Sequence, residues 1–208
     1  VNKVAIKMTL PNQLTILRIV LTPIFVVLLV SENISFKQIS LLVYVIAALT
    51  DWYDGWIARK FGYTTQWGRF LDPLADKILT SSAFISFASL HLVETWMVVI
   101  IVIRDILITL LRSYAELKNK PVITTKSAKA KTFIQMIFIY YLLFAYVLNL
   151  SFEGINLELS ILHPTLIYWL MLFVTVLTLW TGVVYLCDNW KIIKTFYVPA
   201  GKRASESI

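Results

Sequence analysis

Six runs of about 20 predominantly apolar residues constrain this chain more than any other feature, falling at approximately 13–30, 38–59, 71–91, 95–117, 129–150 and 165–188. About 20 helical residues cross a hydrocarbon core of about 30 Å, so each run has the length of a membrane span. Only 15% of the 208 residues are charged and 59% are hydrophobic, against about 25% charged in an ordinary soluble domain. The expected fold is an all-α integral membrane protein, a bundle of six transmembrane helices. One six-helix membrane domain is expected over residues 8–190, between an upstream segment at 1–7 and an interfacial segment and polar tail at 191–208. The first run reads as a retained helix rather than a cleaved signal, because Arg18 interrupts it and no small-residue cleavage site follows.

Basic residues alternate with the runs. Lys3, Lys7 and Arg18 precede or open the first; Arg59, Lys60 and Arg69 lie between the second and third. Lys118, Lys120, Lys126, Lys129 and Lys131 lie between the fourth and fifth, and Lys191, Lys194, Lys202 and Arg203 follow the sixth. The other connections hold Lys37 beside Glu32, Glu94, Glu153 and Glu158. The positive-inside rule then puts both termini in the cytoplasm, as an even number of spans requires. The single cysteine, Cys187, forbids an internal disulfide, and His91 and His163 read as loop residues remote from any carboxylate.

Between the second and third runs, residues 51–77 read DWYDGWIARKFGYTTQWGRFLDPLADK. A carboxylate in a membrane segment costs roughly 2.5–3.5 kcal/mol, so Asp51, Asp54, Asp72 and Asp76 demand compensation by cations, metal or water. On helices, Asp51 and Asp54 share one face and Asp72 and Asp76 another, with Cβ atoms roughly 5–6 Å apart within each pair. Two facing pairs would make an all-oxygen cage suited to Mg²⁺, Mn²⁺ or Ca²⁺. Two such ions about 3.5–4 Å apart can clamp a phosphoryl group during in-line displacement. Gly55 allows close approach to the backbone, and Arg59 offers a planar cation for phosphate. The alternative is an ion network in which Arg59, Arg69 and Lys77 neutralise the acids. Trp52, Trp56 and Trp67 read as interface anchors.

These residues fill the pattern D-x-x-D-G-x-x-A-R-x8-G-x-x-x-D-x-x-x-D with Asp51, Asp54, Gly55, Ala58, Arg59, Gly68, Asp72 and Asp76, which resembles the signature of the CDP-alcohol phosphatidyltransferases. The resemblance implies attack by an alcohol on CDP-diacylglycerol with release of CMP. It implies two ions, Mg²⁺ or Mn²⁺, held by Asp51, Asp54, Asp72 and Asp76, with Asp76 also the general base. The opening PNQLTILR resembles the family's entry segment, so Asn12 and Thr15 join Gly55, Arg59, Thr65 and Gly68 as expected CDP-diacylglycerol contacts. A homodimer in the bacterial cell membrane, active site toward the cytoplasm, is likewise implied.

A second costly placement lies in the fourth run, where Arg104 and Asp105 are adjacent and Arg112 follows two helical turns later, rotated by about 80°. With KPVITTKSAKAKTFIQ at residues 120–135, this region resembles the branch of the family whose acceptor is glycerol 3-phosphate. Arg104, Arg112, Lys129, Lys131 and Thr132 then fill the places around the acceptor's phosphate, although Ala128 stands for a usual glycine and Asp105 for glutamate. On a regular helix Lys129 and Lys131 diverge by about 200°. Inositol phosphate or phosphatidylglycerol are the alternative acceptors, and an anionic-lipid-binding loop is the other use for these lysines. Membrane lipids are expected partners and nucleic acid is not. A divalent-cation transporter would also embed carboxylates in a membrane, but here the acids gather at one boundary.

Overall fold

The computed structural model describes residues 10–61, 66–118, 126–151, 162–190 and 193–194, and among them the regular structure is helical throughout. In chain order the helices are α1 (Leu10–Val30), α2 (Ile34–Phe61), α3 (Gln66–Ser89), α4 (Thr95–Leu117), α5 (Lys126–Ser151) and α6 (Pro164–Asp188). Each corresponds to one expected run, with starts up to five residues earlier where polar residues extend the helix beyond its apolar stretch. At α2 the reason is local: the Asn33 side chain accepts a hydrogen bond from the Ser35 backbone N–H at 2.9 Å and so caps the added turn. Pro164 opens α6, where a missing N–H costs nothing, and the amide of Asn189 closes it on the Tyr185 carbonyl at 2.9 Å.

Four helices, α1, α2, α5 and α6, contain segments long and apolar enough to cross a membrane. The exceptions, α3 and α4, have 24 and 23 residues, about 35 Å of helix, but carry Asp72, Asp76, Lys77, Arg104, Asp105 and Arg112. Length therefore suits them to the same layer, and their low apolarity reflects what they present inside the bundle. The expected segment 1–7 lies outside the described residues, as does the expected segment 191–208 apart from residues 193–194.

Helix α1 packs on α2 and α3, α3 on α4 and α5, and α6 on α4 and α5. Sequence position divides the interior into two halves. Late α1, α3 and α5 and early α4 and α6 supply an apolar core that includes Phe25, Phe84, Phe87, Leu142 and Met171. The opposite halves of α1 and α5, with the middle of α4 and the second half of α2, contribute buried Thr15, Arg18, Asp54, Asp105 and Lys131. The packed end holds the helices in register, and the charged end holds the candidate site.

Candidate active site

Helices α1, α2 and α3 bring the motif carboxylates into one neighbourhood. Asp51 and Asp54 lie one turn apart on α2, and Arg18 of α1 reaches both: its Nη1 is 2.8 Å from Oδ1 of Asp51, and its Nη2 donates to Oδ2 of Asp54 at 2.7 Å. Arg18 is wholly buried, as is most of Asp54, whereas Asp51 keeps 38% of its side-chain exposure. On α3, Asp72 accepts a hydrogen bond from the Thr15 hydroxyl, and Asp76 lies 3.7 Å from the Lys77 ammonium. Asp51 is within electrostatic reach of both Asp72 and Asp76, so the α2 and α3 pairs share one neighbourhood.

The cage itself is looser than the spacing suggested. Among the described residues no three carboxylates converge as a ready-made coordination shell. The reason is that Thr15 and Arg18 engage their near sides. Thr15, expected at the nucleotide, is thus hydrogen-bonded to a motif carboxylate, and Asn12 is half-buried in the opening turns of α1. Among the described residues, the cations set against these carboxylates are Arg18, which the sequence pattern does not pair with them, and Lys77, a member of the alternative ion network. The donor set nevertheless fits a hard divalent ion: it is all oxygen, and among the described residues the four carboxylates are met by one guanidinium and one ammonium, leaving excess negative charge there. Gly55 follows Asp54 in α2 and is partly exposed. Arg59 falls in the last turns of α2 and Gly68 in the first turn of α3, but their side-chain surroundings, like all of Thr65, lie outside the described residues.

On the other side of α3 is a cavity of about 580 Å³, lined by Asp76, Lys77, Arg104, Arg112, Lys129 and Thr132 among others. The structure therefore brings four of the five expected phosphate-binding residues together, beside the expected general base. Arg112 joins Arg104 despite the rotation between them, because the cavity wraps around that face of α4.

Lys131 is placed differently. Helix α5 begins at Lys126, before both lysines, so they diverge as a regular helix requires. Lys129 is exposed at the cavity, while Lys131 is 1% exposed and bonds both oxygens of Asp105, at 2.5 and 2.7 Å. Asp105 also accepts from Arg104 at 3.0 Å and lies 3.7 Å from Lys77, so one buried carboxylate fixes three cations around the cavity. Neither that organising role of Asp105, nor the place of Arg18 between two motif carboxylates, nor that of Tyr185 in the cavity wall is marked by the sequence patterns. For Arg18 a signal existed, since a cation inside an apolar run marks a functional position by default.

A cation-lined cavity against a carboxylate cluster, at one end of a bundle of long apolar helices, defines a membrane protein built to handle a phosphorylated molecule. The chain belongs to the CDP-alcohol phosphatidyltransferase family, whose pattern it matches over residues 8–185. It is 34% identical over 198 residues to the CDP-diacylglycerol-glycerol-3-phosphate 3-phosphatidyltransferase of Bacillus subtilis (strain 168), covering 89% of this chain and 97% of that one. Proteins of the same name from Rickettsia typhi (31% over 188 residues; 90% and 98% covered) and Salmonella paratyphi A (33% over 183 residues; 85% and 92%) are similarly related.

Proposed function

We propose that this protein is a phosphatidylglycerophosphate synthase, which transfers the phosphatidyl group of CDP-diacylglycerol to sn-glycerol 3-phosphate and releases CMP. The observation that carries this reading is the single cavity that holds Asp76 together with Arg104, Arg112, Lys129 and Thr132. An uncharged alcohol would not need such a cluster; a phosphomonoester would. The names of the relatives agree.

In the reaction, Arg104, Arg112, Lys129 and Thr132 hold the acceptor's phosphate, which aims its free hydroxyl toward Asp76. Asp76 takes the hydroxyl proton as the oxygen forms a bond to the phosphatidyl phosphorus. The bond from that phosphorus to the bridging pyrophosphate oxygen breaks, and CMP leaves with the electron pair. Asn12, Thr15, Gly55, Arg59, Thr65 and Gly68 seat the CDP group. Asp51, Asp54, Asp72 and Asp76 would hold Mg²⁺ or Mn²⁺, two ions in this reading, which supply positive charge for the pyrophosphate. Lys131, expected at the acceptor, acts instead through Asp105, as the counter-ion that keeps Arg104 and Lys77 in place.

All six helices span the bacterial cell membrane in this reading, with termini and site toward the cytoplasm, where glycerol 3-phosphate is available, and two copies associate. The acyl chains of CDP-diacylglycerol remain in the bilayer beside the bundle.

The test is CMP release from CDP-diacylglycerol by the purified protein with Mg²⁺, offered glycerol 3-phosphate, inositol phosphate or phosphatidylglycerol. Release is expected with glycerol 3-phosphate alone, and Asp76→Asn should lower it at least about 100-fold, the scale of losing a general base. Release with another acceptor alone would keep the chemistry and overturn the acceptor. No release with any of them, from folded protein supplied with lipid, would return attention to cation transport.

A further inference from the structure

Tyr185 lies on α6, a helix to which neither the carboxylate pattern nor the basic cluster contributes. It lines the same cavity as Arg104 and Arg112 and lies within electrostatic reach of both. Only 1% of the residue is exposed, and its hydroxyl has no hydrogen-bond partner among the described residues. A buried tyrosine hydroxyl ordinarily finds a partner, so an unmatched one in the wall of a ligand cavity points to the ligand.

A second unmatched donor lies in that wall. The Arg104 guanidinium is clamped from two sides, its Nη1 donating to Asp105 and its Nη2 to the Thr181 hydroxyl, each at 3.0 Å. Its Nε is buried without a partner among the described residues. The clamp depends on Gly182: a Cβ there would come within 3.0 Å of Nε and 3.3 Å of Cγ, so Arg104 lies directly against the bare backbone of α6. One turn of α6 thus contributes a hydroxyl that holds Arg104, a glycine that admits it and a phenol beside it.

Donors without acceptors, flanked by cations, are complementary to an anion that offers only acceptor oxygens. Resting on the glycerol 3-phosphate reading above, we propose that Tyr185 donates its hydroxyl hydrogen bond to a phosphate oxygen of the acceptor, and that Thr181 and Gly182 position Arg104 for the same group. Helix α6 is then a specificity wall for the acceptor phosphate. The acceptor's carbon chain and the CDP group do not meet Tyr185.

The experiment is steady-state kinetics of the full-length protein with the acceptor and CDP-diacylglycerol varied separately. Tyr185→Phe keeps the ring and removes only the donor. It should raise the acceptor KM about tenfold, as expected for one hydrogen bond to a charged group. The KM for CDP-diacylglycerol and kcat should change less than about twofold. Inorganic phosphate, used as a competitive inhibitor against the acceptor, should weaken by the same factor as the KM rises. Thr181→Val is the second variant, expected to raise the acceptor KM by a smaller factor through Arg104. A tyrosine that merely packs would disturb kcat, both KM values or the thermal midpoint and leave phosphate inhibition alone. Unchanged acceptor KM and phosphate inhibition in Tyr185→Phe would overturn the inference even with an active wild type. A wild type that does not use glycerol 3-phosphate would instead overturn the reading on which it rests.

Discussion

Arg18 shows how one residue can settle the electrostatics of the site. It is wholly buried, and it is held there because Asp51 and Asp54 place their oxygens 2.8 and 2.7 Å from its two terminal nitrogens. Removing one partner of a buried pair leaves the other charge uncompensated, at a cost of about 3–5 kcal/mol. Arg18→Leu should therefore lower the thermal midpoint of the purified protein markedly. Adding Asp54→Asn should recover part of the loss, because the two residues share one interaction; strictly additive losses would contradict the pairing. The four motif carboxylates were legible in the sequence from spacing alone, since three- and four-residue separations put residues on one helical face. Their counter-ion was not, because the 32 residues between Arg18 and Asp51 carry no information about which face of α1 meets α2. What the sequence did offer was a charge in an apolar run, which signals a partner without naming it.

Within α5, two lysines of similar chemistry are sorted by helical geometry. Because the helix starts at Lys126, Lys129 and Lys131 point about 200° apart, one at the cavity and one at Asp105. They should respond differently to the same substitution. Lys129→Ala is expected to raise the acceptor KM about tenfold with the thermal midpoint preserved, since it removes one charge-assisted contact from an exposed side chain. Lys131→Ala should lower the thermal midpoint, because it removes the buried cation that bonds both oxygens of Asp105 and leaves only Arg104 and Lys77 to neutralise it among the described residues. Its partner substitution Asp105→Asn, added to Lys131→Met, should restore part of the midpoint. If both lysines behaved alike, as joint phosphate ligands would, the start of α5 would lie after them. Apolar run length located all six helices to within a few residues. The ambiguity lay at the polar ends, where a capping residue such as Asn33 or the basic opening of α5 extends a helix past its hydrophobic stretch.

Across the whole molecule, polarity is arranged along the bundle and also from inside to outside. The exposed residues of α6 include Trp169, Phe173, Val176, Trp180 and Val183, repeating every three or four positions, while its buried face carries Thr175, Thr178 and Thr181. An apolar exterior around a partly polar interior is the arrangement a bilayer favours and water does not. The same inversion explains α3 and α4: their charges face one another across the site, so they are bundle-inward helices whose low apolarity does not argue against crossing the membrane. The charged half of the bundle adjoins the connections rich in Lys and Arg, and the apolar half adjoins Glu32 and Glu94. This is the arrangement on which the proposed cytoplasmic orientation of the site rests, by the positive-inside rule. The single native cysteine makes this directly measurable, because Cys187→Ser leaves a chain with no thiol. In that background, a cysteine at Lys118 or Lys194, both exposed, should react with a membrane-impermeant maleimide only in inside-out vesicles. One at Ser31 or His91, at the far ends of α1 and α3, should react only in right-side-out cells. Labelling of Lys118→Cys and His91→Cys from the same side would mean that α4 does not cross, which would reduce the bundle's spans and separate Asp105 from the layer that α3 occupies. Opposite labelling with the sides reversed would keep six spans but turn the acceptor cavity away from the compartment that holds glycerol 3-phosphate.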